Sequence, residues 1–178
     1  MKTYNNKMIM KKILLILFSA SIIMSCDEFD IADQGIVLEE LPSYVAFNAN
    51  GTEAYLDTVF TDENGGSATF NVEAPTGTLS DITVNYEFSG TAIFGTDFNV
   101  AGASAAGGSL VITHDPADFL DFDNKDLDIS LLTDAIVDGE KTLNINLISA
   151  SNAEGQIAVG RGGTDYLKSA VLVIADVD

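Results

Sequence analysis

From Tyr44 onward the chain alternates apolar and polar positions with a period of two. Ile82-Thr-Val-Asn-Tyr-Glu-Phe88 is the cleanest run, and Leu127-Asp-Ile-Ser-Leu131 and Leu143-Asn-Ile-Asn-Leu147 repeat its pattern. Ala68-Thr-Phe-Asn-Val72 and Tyr44-Val-Ala-Phe47 are shorter versions, while Leu110-Val-Ile112 and Ala170-Val-Leu-Val-Ile174 are continuous apolar runs. Successive side chains of a strand point to opposite faces, so alternation predicts strands with one face buried and one wet, as in antiparallel sheets. Turn-forming residues separate the runs: Glu63-Asn-Gly-Gly66, Pro75-Thr-Gly77, Ser89-Gly90, Ala106-Gly-Gly108, Asp115-Pro116, Asp138-Gly139 and Arg161-Gly-Gly163. No window carries a sustained helical stripe with caps. About seven short strands with glycine-rich turns predict an all-β, antiparallel β-sandwich. Two stretches break the rhythm. Residues Pro116 to Asp126 read as a long acidic hairpin tip carrying Phe119, Leu120 and Phe122, and Ser149 to Tyr166 as a long glycine-rich excursion before the last strand. No internal repeat is present, so the sandwich is a single module.

The N-terminus follows a different pattern. Lys11-Lys12 precede the apolar run Ile13-Leu-Leu-Ile-Leu-Phe18, then come Ser-Ala-Ser and Ile22-Ile-Met-Ser-Cys26, with Cys26 the single cysteine of the chain. Basic region, short apolar region and small-residue cleavage site are the parts of a secretory signal. Residues 13–24 are too few for a membrane-spanning helix, which needs roughly 20 apolar residues. Ile23-Met24-Ser25-Cys26 resembles the lipobox of bacterial lipoproteins, in which cleavage leaves the cysteine first and acylated. The other reading of Cys26 is an ordinary buried thiol. The expected organisation is a lipoprotein signal peptide over residues 1–25, lipidated Cys26 with an acidic tether to residue 42, and the sandwich over residues 43–178. Two or more acyl chains give stable membrane attachment. The expected location is therefore a bacterial cell envelope, lipid-anchored in the outer membrane, with the surface favoured over the periplasmic face. Asp27, Glu28 and Asp30, directly after the cysteine, resemble the surface-export address of some Gram-negative lipoproteins; a solvated spacer would read the same way.

Removing that signal alters the charge. Lys2, Lys7, Lys11 and Lys12 leave with it, and the remaining 153 residues hold four basic and 27 acidic side chains, a net charge of −23. Nucleic acid is excluded as a partner, since phosphate binding needs clustered Lys and Arg. Cations are the natural partners of such a field.

Several acidic residues fall in a recognisable order. Gly90-Thr-Ala-Ile-Phe-Gly-Thr-Asp-Phe98 resembles the glycine-threonine-alanine turn of Calx-beta domains, and Leu131-Leu-Thr-Asp-Ala-Ile-Val-Asp-Gly-Glu-Lys-Thr-Leu-Asn-Ile-Asn-Leu147 resembles their central acidic segment. Val171-Leu-Val-Ile-Ala-Asp-Val-Asp178 is similar to their closing strand and acidic triplet, and Asp62-Glu63-Asn-Gly-Gly-Ser-Ala68 to their opening element. The resemblance covers roughly residues 43–178 and implies an immunoglobulin-like sandwich with calcium held by loops at one end. Carried over by position, the implied ligands are Glu63, Asp97, Asp134, the carbonyl of Ile136, Asp138 and Asp176. Calcium suits such a set, because it takes six to eight hard oxygen ligands. Zinc does not, with one histidine and one lipidated cysteine available. The pattern departs from the family at Thr133 and Ala135, at Lys141, where calcium-regulated members carry a carboxylate, and at Ala175 and Val177. The remaining acids could hold one ion, or Lys141 could supply the positive charge as an ion-pair partner.

Catalysis is not expected. His114 is the single histidine and sits before Asp115-Pro116, with no nucleophile-elbow sequence to complete a triad. Paired carboxylates can cleave glycosides, but short sandwich loops rarely form the cleft required. The expected role is a binding or adhesion module on the envelope. Two alternatives stand beside it. A glycan-binding accessory of polysaccharide uptake predicts an aromatic platform from Tyr55, Phe94, Phe119, Phe122 or Tyr166. A structural subunit of an envelope assembly predicts an exposed apolar patch or an unprotected edge strand.

Overall fold

The computed structural model describes residues 42–48, 56–117, 122–133 and 135–177. The expected signal segment, Cys26, nearly all of the expected tether, Tyr55, Phe119 and Asp134 lie outside them. The described chain forms ten strands: β1 (Tyr44–Phe47), β2 (Asp57–Asp62), β3 (Ser67–Ala74), β4 (Ile82–Gly90), β5 (Phe98–Val100), β6 (Gly107–Ile112), β7 (Asp123–Leu131), β8 (Lys141–Asn152), β9 (Gly155–Val159) and β10 (Ser169–Ala175). Short 3-10 turns occupy Glu63–Gly65 and Arg161–Gly163.

Pairing sorts these strands into two layers. One runs β2-β10-β8-β4-β6 and the other β1-β3-β7-β5. Strand β9 joins them at a corner, antiparallel to β8 and parallel to β1. All seven alternating or apolar runs of the sequence are strands, and the all-β immunoglobulin-like sandwich stands. Its pairing is mixed rather than purely antiparallel, because β10 also runs parallel to β2. The cause is a divided first segment: β1 belongs to one layer and β2 to the other, each beside a strand of its own direction.

Two expectations need correction. Residues 149–166 are not a loose excursion, since β8 continues to Asn152 and returns as β9 through a tight turn. The acidic tip ends earlier than Asp126, because β7 begins at Asp123, opposite Ala74 of β3.

The two-residue period explains the core. Ala68, Phe70, Val72 and Ala74 of β3 face inward, as do Leu127, Ile129 and Leu131 of β7. Their outward neighbours pair across the sheet: Thr69 Oγ1 donates to Asp128 at 2.7 Å, and Asn71 Nδ2 to Asp126 at 2.8 Å. On the opposite layer Leu143, Ile145 and Leu147 point inward, but the next buried residue is Ala150. The phase changes because the β4–β8 register slips between Asn85 and Tyr86, opposite Ser149 and Leu147. That bulge turns Ile148 out to solvent. Among the described residues no polar or charged side chain is buried in this core.

Asp57, at the start of β2, is partly buried, and desolvation pushes its carboxyl pKa above the ordinary value against a smaller opposing pull from the Thr58 backbone N–H. A raised acid contributes stability below the unfolded pKa, about 4, and loses it as pH climbs through the folded value. Asp57→Asn is therefore expected to melt higher than the wild type at pH 7. The gap should close on acidification below the aspartate range, as read from melting temperatures of both proteins against pH.

Register also defines two poles. Gly90 of β4 lies opposite Leu143, Phe98 of β5 opposite Leu131, Asp62 of β2 opposite Ala175, and Lys141 of β8 opposite Ile174. The Glu63 turn, the Gly90–Asp97 loop, the Leu132–Glu140 loop and Asp176 thus gather at one end. The chain enters the sandwich at the other, where the Tyr44 N–H reaches Thr76 Oγ1 at 3.4 Å. His114 is also at that far end, its Nδ1 2.8 Å from Asp123 Oδ2 and its backbone N–H donating to Asp81.

Candidate functional site: the acidic pole

Each acid at this pole is delivered by a local device. Glu63 opens the 3-10 turn after β2, and the chain leaves that turn through Gly66 at φ 76°. Asp97 closes the Gly90–Asp97 loop on itself: its Oδ2 accepts from the Ile93 N–H, and its own N–H donates to the Ile93 carbonyl at 2.8 Å. The glycine that opens this loop cannot be replaced freely. Gly90 has φ 119°, and the Thr91 and Ala92 N–H groups beside it both donate to the Thr142 carbonyl, at 2.8 and 3.0 Å. Ser89-Gly90, expected as a turn, is therefore the end of β4 pressed onto β8. Asp138 precedes Gly139, whose φ of 82° turns the chain into β8. Asp176 follows β10, and its Oδ2 accepts from the N–H groups of both Asp138 and Gly139, at 2.7 and 2.6 Å.

Four of the implied ligands, Glu63, Asp97, Asp138 and Asp176, line one small cleft together with Leu132, Gly139 and Lys141. Its volume is about 10 Å³, the room of one water. Asp134 lies outside the described residues. Ile136 sits on the same loop with its side chain exposed. The positional carry-over thus brings together four acids from four separate segments of the chain.

One oxygen of each, however, is engaged by the protein. Glu63 Oε1 accepts from the Val177 N–H at 3.1 Å, and Asp138 Oδ2 lies 2.8 Å from Lys141 Nζ. With the Asp97 and Asp176 bonds above, every one of the four carboxylates has an oxygen committed to a donor. Calcium needs six to eight oxygens converging on one point. Among the described residues no three acids, histidines or cysteines are grouped to hold a metal. As arranged, these side chains do not fit a calcium cage. They fit a hydrogen-bonded clamp between loops, with an ammonium group as its cation. The sequence reading missed the backbone donors of this clamp; the Asp138-Gly139 turn was their only visible signal.

An apolar rim accompanies the acids. Ile93, Ile136, Val137 and Val177 all expose their side chains at this pole, Val137 to 76 %. By contrast Phe94, a candidate for an aromatic platform, is folded into a ring cluster. It lies 6.2 Å from Phe88 and 5.6 Å from Phe98, the latter edge to face. Phe122 is exposed at the far pole, and Tyr166 is exposed on the segment before β10.

No protein-family model matches the sequence, and no curated protein does. Solved structures do. The apo form of the Calx CBD1 domain superposes with a TM-score of 0.54 at 20 % identity, over 76 % of this chain and 98 % of that domain. The Calx CBD2 domain gives 0.54 at 14 % identity, over 76 % of this chain and 87 % of its own. At such identities the likeness is one of fold. The chain carries a Calx-beta-like, immunoglobulin-type β-sandwich.

Proposed function

We propose that the protein is a lipid-anchored envelope lipoprotein whose sandwich is a non-catalytic binding or adhesion module, presenting its acidic pole away from the membrane. The observation that carries this reading is the placement of the two ends. The chain enters at the Thr76 end, beyond the tether, while four acids and an apolar rim gather at the opposite end. Acidic groups ringed by exposed aliphatic side chains suit a partner surface that pairs Lys or Arg with apolar residues, since complementary charge steers encounter and apolar contact holds it.

Two measurements test it. Cys26→Ala is expected to shift the protein from the membrane fraction to the soluble fraction and to abolish incorporation of labelled fatty acid; retention in the membrane would refute the anchor. Cross-linking of intact cells is expected to capture an envelope partner that is lost with Ile136→Asp/Val137→Asp but kept with the far-pole change Leu79→Ser. Equal capture by both variants would refute the assignment of the pole.

A second reading has its own observation. Among the described residues β2 pairs only with β10, and Phe60 on it is 76 % exposed. An open edge strand with an outward aromatic suits pairing with a strand of another envelope subunit. In that case Phe60→Lys, and not the change at Ile136 and Val137, removes the cross-linked partner.

A further inference from the structure

We infer that Lys141 is the resident cation of the acidic pole, so that the loops which a bound calcium would gather are gathered by a covalently attached ammonium instead. Four carboxylates from separate segments, brought to one cleft, repel one another unless a positive charge sits among them. Lys141 is the one basic side chain lining that cleft. It is the first residue of β8 and lies in register with Ile174 of β10, two residues before Asp176. Two residues before buried Leu143, it shares that residue's inward face of β8, and its side chain lines the cleft. There it is 21 % exposed, with Nζ 2.8 Å from Asp138 Oδ2. An ammonium is a compact point charge with three donors, which suits bridging between several carboxylates.

The clamp has a connected logic. Lys141 holds Asp138, the backbone of Asp138 and Gly139 holds Asp176, and Val177 beside Asp176 holds Glu63. One cation thereby anchors the first link of a chain of contacts whose later links, from the β7–β8 loop through the end of β10 to the turn after β2, are backbone N–H bonds to carboxylates. A metal would have to displace this ammonium and break several of these hydrogen bonds before it gained its ligands. The consequence is a pole whose shape does not follow the calcium concentration around it. The inference rests on the acidic pole described above and not on the identity of its partner, and it is read by melting rather than by capture, so either can fail alone.

The test is a set of melting curves on the full chain in metal-free buffer and in 1 mM calcium, a ligand concentration that would be roughly 100-fold above a micromolar-range Kd of about 10 µM. The wild type is expected to melt at the same temperature in both. Lys141→Met, which keeps the stem and removes the charge, is expected to melt lower in metal-free buffer by about 2–5 °C. Lys141→Arg is expected to hold the wild-type value within about 2 °C. Lys141→Glu is expected to fall furthest without metal and to recover with calcium, which would convert a fixed clamp into a calcium-dependent one. A wild-type rise of more than about 5 °C in calcium, or a Lys141→Met protein that melts like the wild type in metal-free buffer, would overturn the inference.

Discussion

Phe98→Ala is expected to remove about 3–5 kcal/mol of stability, a large fraction of the roughly 5–15 kcal/mol that a typical domain possesses. Phe98 is 1 % exposed and sits at the start of the shortest strand, β5. Its ring meets Phe88 at 5.2 Å and Phe94 at 5.6 Å, both edge to face. Truncation thus loses the transferred side chain, leaves a cavity, and removes two favourable ring pairs worth about 0.5–1.5 kcal/mol each. Little in a three-residue strand can collapse to refill the gap. The loop ending at Asp97 also loses its footing, because Phe98 is the next residue. Urea denaturation should show the loss as a lower midpoint, and the melting temperature should fall by roughly 10–20 °C. A loss below about 1 kcal/mol would mean that the site collapses freely and that the ring cluster is not a rigid unit.

Gly90→Ala is the second large effect, expected at about 2–4 kcal/mol. Two separate penalties meet at this position. With φ 119° the backbone lies where side chains are strained, and the added Cβ would land on the Thr142 carbonyl. That carbonyl cannot give way cheaply, since it accepts from both Thr91 and Ala92, and the Thr142 N–H donates to Thr91 Oγ1 at 2.8 Å. Gly95, in the same loop, separates the two penalties: its φ is 82°, yet nothing lies within 4 Å of the point an added Cβ would occupy. Gly95→Ala should therefore show the backbone penalty alone, about 1–2 kcal/mol. Equal losses at the two glycines would show that the contact with Thr142 contributes nothing.

Much of this architecture was legible in the sequence, for a simple physical reason. Wherever one face of a strand is buried and the other wet, side-chain alternation writes the strand directly, as in Ile82–Phe88 or Leu143–Leu147. Of the strands that escaped, β5 alternates but is only three residues long, and the other two carry weak or irregular burial. Asp57-Thr-Val-Phe-Thr-Asp62 places Phe60 outward on an edge, between two acids. Gly155-Gln-Ile-Ala-Val159 buries Ile157 alone among its five residues. Ile148 hid a bulge, because an extra residue in a strand shifts the phase without changing the composition. Acid positions at the pole were legible for a different reason: each lies in a short stretch of sequence that resembles a Calx-beta motif. The destinations of the carboxylate oxygens were not, since the Val177 N–H that meets Glu63 is 114 residues away. Only the register of β2, β8 and β10 brings such groups together.

The path of β1 has a mechanical consequence. This strand lies between β3 and β9, in opposite and equal directions to them respectively, with Phe47 N–H bonded to Leu167 and Gly160 N–H to Val45, at 2.9 and 2.8 Å. A load applied at Tyr44 and resisted at the acidic pole pulls along β1, while its hydrogen bonds lie across the strand. The ladder is then loaded in shear, so its rungs must fail together rather than open one by one like a zip. A four-residue strand so placed is held more stiffly than its length suggests.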